Sequence, residues 1–143
     1  MSGLKSYTFK IIIILNLAWL CACTSTQSYK PAFNNKQTEV LKSIKTNYGF
    51  EDITFLGKKV SKNDSTYTSL VIKFINGKNI PTDSIKMIEL AKQLGTQIKT
   101  IVKNPKEFET YIILFDTVVT DKGQFADVTH ENYTIHEFNY SEL

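Results

Sequence analysis

The stretch Tyr111–Val119, YIILFDTVV, carries apolar side chains on both alternating sets: Tyr111, Ile113 and Phe115 on one, Ile112, Leu114 and Val118 on the other. Strands that keep one face wet alternate apolar with polar; this one does not, which marks a central strand. The rest of the chain has to supply its neighbours. Ile53–Lys62 reads as a strand with Gly57 as a candidate bulge. Lys62-Asn63-Asp64-Ser65 has turn chemistry, and Tyr67–Asn76 alternates with Leu70, Ile72 and Phe74 on one face. Asp121-Lys122-Gly123 is a hairpin turn, after which Phe125–Phe138 returns as a more polar strand.

Two segments follow the helical period instead. Asn35 can cap a helix with Val40, Leu41, Ile44 and Tyr48 in one stripe, and Gly49 stands where a left-handed C-cap belongs. Thr82 or Asp83 caps a longer one reaching about Val102, striped by Met87, Ala91, Leu94, Ile98, Ile101 and Val102. Gly95 lies beside that stripe, suited to close backbone approach, and Asn104-Pro105 ends the helix. The order is α-β-β-α-β-β. It predicts a two-layer α+β domain: an antiparallel sheet of about four strands with both helices on one face.

Composition limits the function classes. Of 143 residues, 42% are hydrophobic and 22% charged, a globular balance that excludes a mostly disordered, collagen-like or polytopic membrane chain. Every basic residue is Lys. Without Arg there is no bidentate reader of phosphate or guanine, so nucleic acid is not an expected partner.

The first residues address location. A Lys-bearing start is followed by the apolar run Ile11–Leu20, interrupted only by Asn16, and then by CACTSTQS. Ten helical residues span about 15 Å, half the hydrocarbon thickness of a bilayer, which suits a secretory signal better than a permanent span. Leu20-Cys21-Ala22-Cys23 resembles the lipobox of bacterial lipoproteins, with Leu at −3, a small residue at −1 and Cys at +1. The resemblance implies cleavage after Ala22, acylation of Cys23 and an N-terminal lipid anchor. Cys21 fits less well, because Leu20 would then fill the small-residue position. Thr24 rather than Asp after the modified residue implies outer-membrane sorting, with the domain facing the periplasm. On this reading residues 1–22 are signal peptide, 23–34 are the lipidated Cys and a polar tether, and 35–143 form one domain. Neither a free thiol nor a disulfide would survive processing, so Cys catalysis is not expected.

Charge is unevenly divided. Residues 24–106 hold fourteen Lys against six acids, and residues 107–143 hold one Lys against eight. The simpler expectation is strand pairing, with Lys58, Lys59, Lys62 and Lys73 near Asp127, Glu131 and Glu137. The sharper one is a bipolar surface for a charged partner.

No catalytic or metal-binding residues are assigned. His130 and His136, at even separation in an extended strand, are about 20 Å apart and cannot share an ion whose ligands sit about 2 Å away. Gly-x-Ser-x-Gly, the P-loop, the dinucleotide glycine pattern and His-Glu-x-x-His do not occur. Phe138 and Tyr140 form a candidate binding patch. The expected role is a small non-enzymatic envelope lipoprotein, held by its lipid and binding a protein or envelope component as an inhibitor- or immunity-type module, with no cofactor. The alternatives are a hydrolase or glycan- or lipid-handling enzyme using C-terminal carboxylates such as Glu107, Glu109, Glu131 and Glu137, and a small-ligand carrier with a cavity between helix and sheet.

Overall fold

The computed structural model describes residues 24–122 and 127–143. Its strands are β1 (Thr24–Tyr29), β2 (Asp52–Lys62), β3 (Ser65–Ile75), β4 (Thr110–Lys122) and β5 (Asp127–Asn139). Its helices are α1 (Gln37–Tyr48), between β1 and β2, and α2 (Ser84–Ile101), between β3 and β4, with short 3-10 turns at Pro105–Glu107 and Tyr140–Glu142. The signal segment, with Cys21 and Cys23, and Gly123 of the expected hairpin turn lie outside the described residues.

Local chemistry explains the helix ends. Asp83 caps α2 by accepting from the Lys86 N–H at 2.9 Å. α1 has no side-chain cap: Lys36 stands at its N-cap position in place of the expected Asn35, and Asn34 Oδ1 fixes only the turn before it, accepting from the Lys36 N–H at 3.0 Å. Gly49 closes α1 at φ 68°, its N–H returning to the Lys45 carbonyl. The β2–β3 hairpin turns through Asn63, at φ 54°, and Asp64, with Lys62 opposite Ser65.

The sheet has five strands in the order β1-β2-β3-β4-β5. It is α+β as expected, but mixed rather than antiparallel. β3 and β4 are parallel neighbours, Leu70 opposite Tyr111 and Phe74 opposite Phe115, while the other pairs are antiparallel. The reason is mechanical: α2 carries the chain back over the sheet, so the next strand starts at the same end as the last. A second difference lies in the expected tether. Thr24–Tyr29 is an edge strand along β2, from Thr24 opposite Lys62 to Tyr29 opposite Gly57. The link to α1 is also fixed: the Asn34 N–H bonds the Ile101 carbonyl and the Lys103 N–H bonds the Ala32 carbonyl, both at 2.9 Å.

Gly57 makes no bulge, since the β2–β3 register runs through it unbroken. It provides clearance instead: a Cβ there would lie 2.7 Å from Cε2 of Tyr29, whose ring stacks on Phe108 at 6.2 Å between centroids. Gly95 does admit close approach, its missing Cβ making room for Leu143 at 2.9 Å. Ile53, Leu70, Ile72, Phe74, Tyr111, Ile113, Phe115 and Phe138 share one sheet face by register. They form one core with Ile44 of α1 and Leu90, Ala91, Leu94, Ile98 and Ile101 of α2, so both helices cover that face.

Candidate functional site

The opposite face is built from the other parity of the same strands. Its rows across the sheet are Leu56–Val71–Ile112–Glu137, then Thr54–Lys73–Leu114–Ile135, then Asp52–Ile75–Asp116–Tyr133. No described helix covers it, because the sheet side chains packed against α1 and α2 all have the other parity. Val71, Ile112 and Leu114 are half-buried, shielded by neighbouring side chains on the face. Leu56 is 38% exposed, Ile135 54% and Tyr133 64%. Scattered exposed apolar residues are ordinary, but these form one contiguous patch on a rigid strand platform.

An ion pair stands in the middle of this face. Lys73 Nζ lies 2.6 Å from Oδ2 of Asp116, whose side chain is only 1% exposed. The other carboxylate oxygen, Oδ1, is buried without a hydrogen bond among the described residues. At the end of β3, Asn76 takes φ 51°; its Oδ1 accepts from the Val118 N–H at 2.8 Å and its Nδ2 donates to Glu51 at 2.6 Å. The polar cluster therefore anchors the ends of the two parallel strands to each other.

Phe138 and Tyr140 are elsewhere. The parity of β5 turns Phe138 into the core opposite Tyr111, leaving it 9% exposed. Tyr140 is half-buried against that core, with Lys99 Nζ 3.6 Å from its ring centroid and bonded to its carbonyl at 2.7 Å. The pair is thus not an exposed patch; on β5 it is Tyr133 and Ile135 that are exposed. Counting by twos from Phe138 separates the inward set (Phe138, His136, Thr134) from the outward set (Glu137, Ile135, Tyr133). That signal was in the sequence once the face of Phe138 was known.

His136 lies on the helix-covered side opposite Ile113, its Nε2 buried without a hydrogen bond among the described residues and its ring edge-on to Phe115. Loss of solvent holds its pKa below the ordinary value. Tyr111 donates to the Pro105 carbonyl at 3.1 Å, and burial, reinforced by Tyr140, pushes its hydroxyl well above the usual tyrosine range.

The carboxylates are dispersed. Glu107 accepts from Asn104 at 3.0 Å, Glu142 caps the Asn139 N–H at 2.6 Å, and Glu137 is exposed on the open face. Among the described residues no group of three or more His, Cys, Asp or Glu could hold a metal ion. One open groove runs between α1 and β2, lined by Gln37, Leu41, Lys45, Asp52 and Ile53. Lys45 bonds Asp52 there at 2.8 Å and holds that carboxyl below its ordinary value, and Lys42 adds a second lysine to the lining.

No protein family, curated protein or solved structure matches this chain. Within the described residues, no helix is long and apolar enough to cross a membrane. What the chain does has to be argued from the sheet.

The charge expectation is also redrawn. β2 and β5 are separated by β3 and β4, so Lys58, Lys59 and Lys62 do not face Asp127, Glu131 and Glu137 across neighbouring strands. Lys73 pairs with Asp116 instead. Among the residues whose burial is described, the open face carries Lys58 and Lys62 on β2 and Glu137 on β5, while Lys73 and Asp116 neutralise each other across β3 and β4. Asp52, the acid of β2, is held by Lys45.

Proposed function

We propose that this chain is a lipid-anchored envelope protein whose α+β domain is a binding module, of inhibitor or immunity type, that docks through the open face of its sheet. The observation that carries the docking is the patch of Leu56, Val71, Ile112, Leu114, Tyr133 and Ile135 on a rigid sheet with no described helix above it. Burying such a surface releases about 25 cal/mol per Å² of apolar area, and ordered strands lose little further entropy on binding.

The anchor rests on Leu20-Cys21-Ala22-Cys23. Since β1 begins at Thr24, acylated Cys23 is the residue next to the edge strand. On this reading the lipid joins the chain just before β1 and holds the domain at the outer membrane, facing the periplasm. Several acyl chains at about 0.8 kcal/mol per buried CH₂ hold it there.

Metabolic labelling of the full-length chain with a fatty-acid analogue tests this. Cys23→Ser should lose the label and leave the membrane fraction, while Cys21→Ser keeps both. Equal loss in the two variants would rule out Cys23 as the acylated residue.

A further inference from the structure

We propose that the groove between α1 and β2 takes an extended acidic peptide of a partner protein, which joins the sheet as a strand beside Asp52–Leu56, in line with β1. The site is separate from the open face and does not rest on reading that face as a docking surface.

The first half of the argument is a backbone edge that the chain leaves unpaired. β1 runs along β2 only as far as Tyr29, opposite Gly57. Two residues further on, the same register would set Pro31 opposite Phe55, and proline has no N–H to give to a ladder. The chain turns off there: the Ala32 carbonyl takes the Lys103 N–H, and Phe33 bridges Val102. Asp52–Leu56 is left without a strand on its outer side.

Register fixes which groups are free. The Ile75 carbonyl accepts from the Glu51 N–H, so the odd residues of β3 turn their backbone groups toward β2. Ile75 is opposite Asp52 and Lys73 opposite Thr54. Asp52 and Thr54 therefore bond β3, while Ile53 and Phe55 turn their N–H and C=O groups outward. The Ile53 N–H is drawn to the Asp52 carboxylate. The Phe55 N–H and the carbonyls of Ile53 and Phe55 have no backbone partner among the described residues. Free donors and acceptors in such a row are a template for an added strand.

The second half is what stands beside that edge. Thr38, Leu41, Lys42 and Lys45 follow the helical period down one side of α1, and with Asp52 and Ile53 they line a groove of about 480 Å³. Leu41 and Ile53 make part of it apolar. Lys45 is occupied, bonding the Asp52 carboxylate at 2.8 Å and the Glu51 carbonyl at 3.1 Å. Lys42, one turn back along α1, is exposed and makes no ion pair or hydrogen bond among the described residues. Two lysines against one acid leave the groove positive, with Lys42 as the cation free to meet a carboxylate. Side chains of a strand alternate, so an added peptide lays one set into this groove and the other beside Thr54 and Leu56. Main-chain bonds then supply affinity, and Lys42 with Leu41 selects an acidic residue near an apolar one.

The test uses the full-length protein in detergent against a displayed library of short random peptides. Selected peptides should be rich in Asp and Glu and, added as soluble peptides, should slow hydrogen exchange of the Phe55 amide. Lys42→Glu should weaken their binding about tenfold or more, while Lys42→Arg keeps it. Methylating alternate backbone nitrogens of a selected peptide should abolish binding, because a strand needs those donors. A library without binders, binders with no acidic excess, or binding unchanged in Lys42→Glu would overturn the proposal. Binders that leave the Phe55 amide unprotected and instead shift the resonances of Ile112, Leu114 and Ile135 would also overturn it, and would favour docking on the open face.

Discussion

The two faces of this sheet are made by the same strands from nearly the same residue types, yet they have different environments. Leu70, Ile72, Phe74, Tyr111 and Ile113, under the helices, are completely buried. Their immediate neighbours Val71, Ile112 and Leu114, pointing the other way, are half-buried, and Leu56, Tyr133 and Ile135 are exposed. The apolar pattern of β4 on both parities is thus a statement about what the strand needs covered. It does not say whether the cover comes from the same chain.

The comparison is broken most directly by matched charges in adjacent residues of β4. Ile113→Asp places a carboxylate in the helix-covered core and should cost about 4 kcal/mol or more, leaving no folded domain. Leu114→Asp, on the open face, should cost about 1–2 kcal/mol, because its carboxylate can turn to water. A urea melt of the two variants decides it. Equal losses would mean that the open face is covered as deeply as the other.

The next largest effect should come from Lys73→Met, which strands the buried Asp116 carboxylate. Removing one partner of a fully buried pair costs about 3–5 kcal/mol, and because Lys73 itself reaches solvent we expect about 2 kcal/mol here. Pairing it with Asp116→Leu should recover most of the loss. A double variant no better than Lys73→Met would show that Asp116 is not stranded by the single change.

On the helix side, His136 makes stability depend on pH. Its folded pKa is depressed by burial, so the unfolded chain binds a proton first as pH falls below the ordinary 6.5. Stability should therefore decline from about pH 7 downward, by no more than about 1.4 kcal/mol per pH unit, and level off below the folded pKa. His136→Leu should flatten that slope; a slope that persists would assign it to other groups.

The smallest effect is expected at Lys45→Ala. Its partner Asp52 is 58% exposed, so the pair should contribute less than about 0.5 kcal/mol. A chemical melt showing a loss above 1 kcal/mol would mean that the groove between α1 and β2 is more deeply desolvated than its exposure indicates.

Legibility followed the strength of local signals. Asp83, Gly49 and the Asn63-Asp64 turn are each decided within a few residues, by a cap, a left-handed φ or a hairpin. The stripes of α1 and α2 and the alternation of β3 are likewise local. β1 had no such signal: all six of its residues are exposed, so no periodic core face marks them. It is a strand because β2 offers an unpaired backbone edge and Gly57 leaves room for the Tyr29 ring. The open face was missed for a related reason, since its members come from four strands and are adjacent only once register is set.

By itself, then, the sequence determined that α1 and α2 coil and that β2 to β5 extend, because turn chemistry and hydrophobic period act between residues a few positions apart. Tertiary structure alone decided that β3 and β4 run parallel, that Thr24–Tyr29 joins the sheet, that Phe138 turns inward while Tyr133 and Ile135 turn outward, and that Lys73 meets Asp116 across the parallel pair. Those outcomes depend on strand order and register, which are set by the simultaneous closure of helices over one side of the sheet and by backbone pairing between segments far apart in the chain.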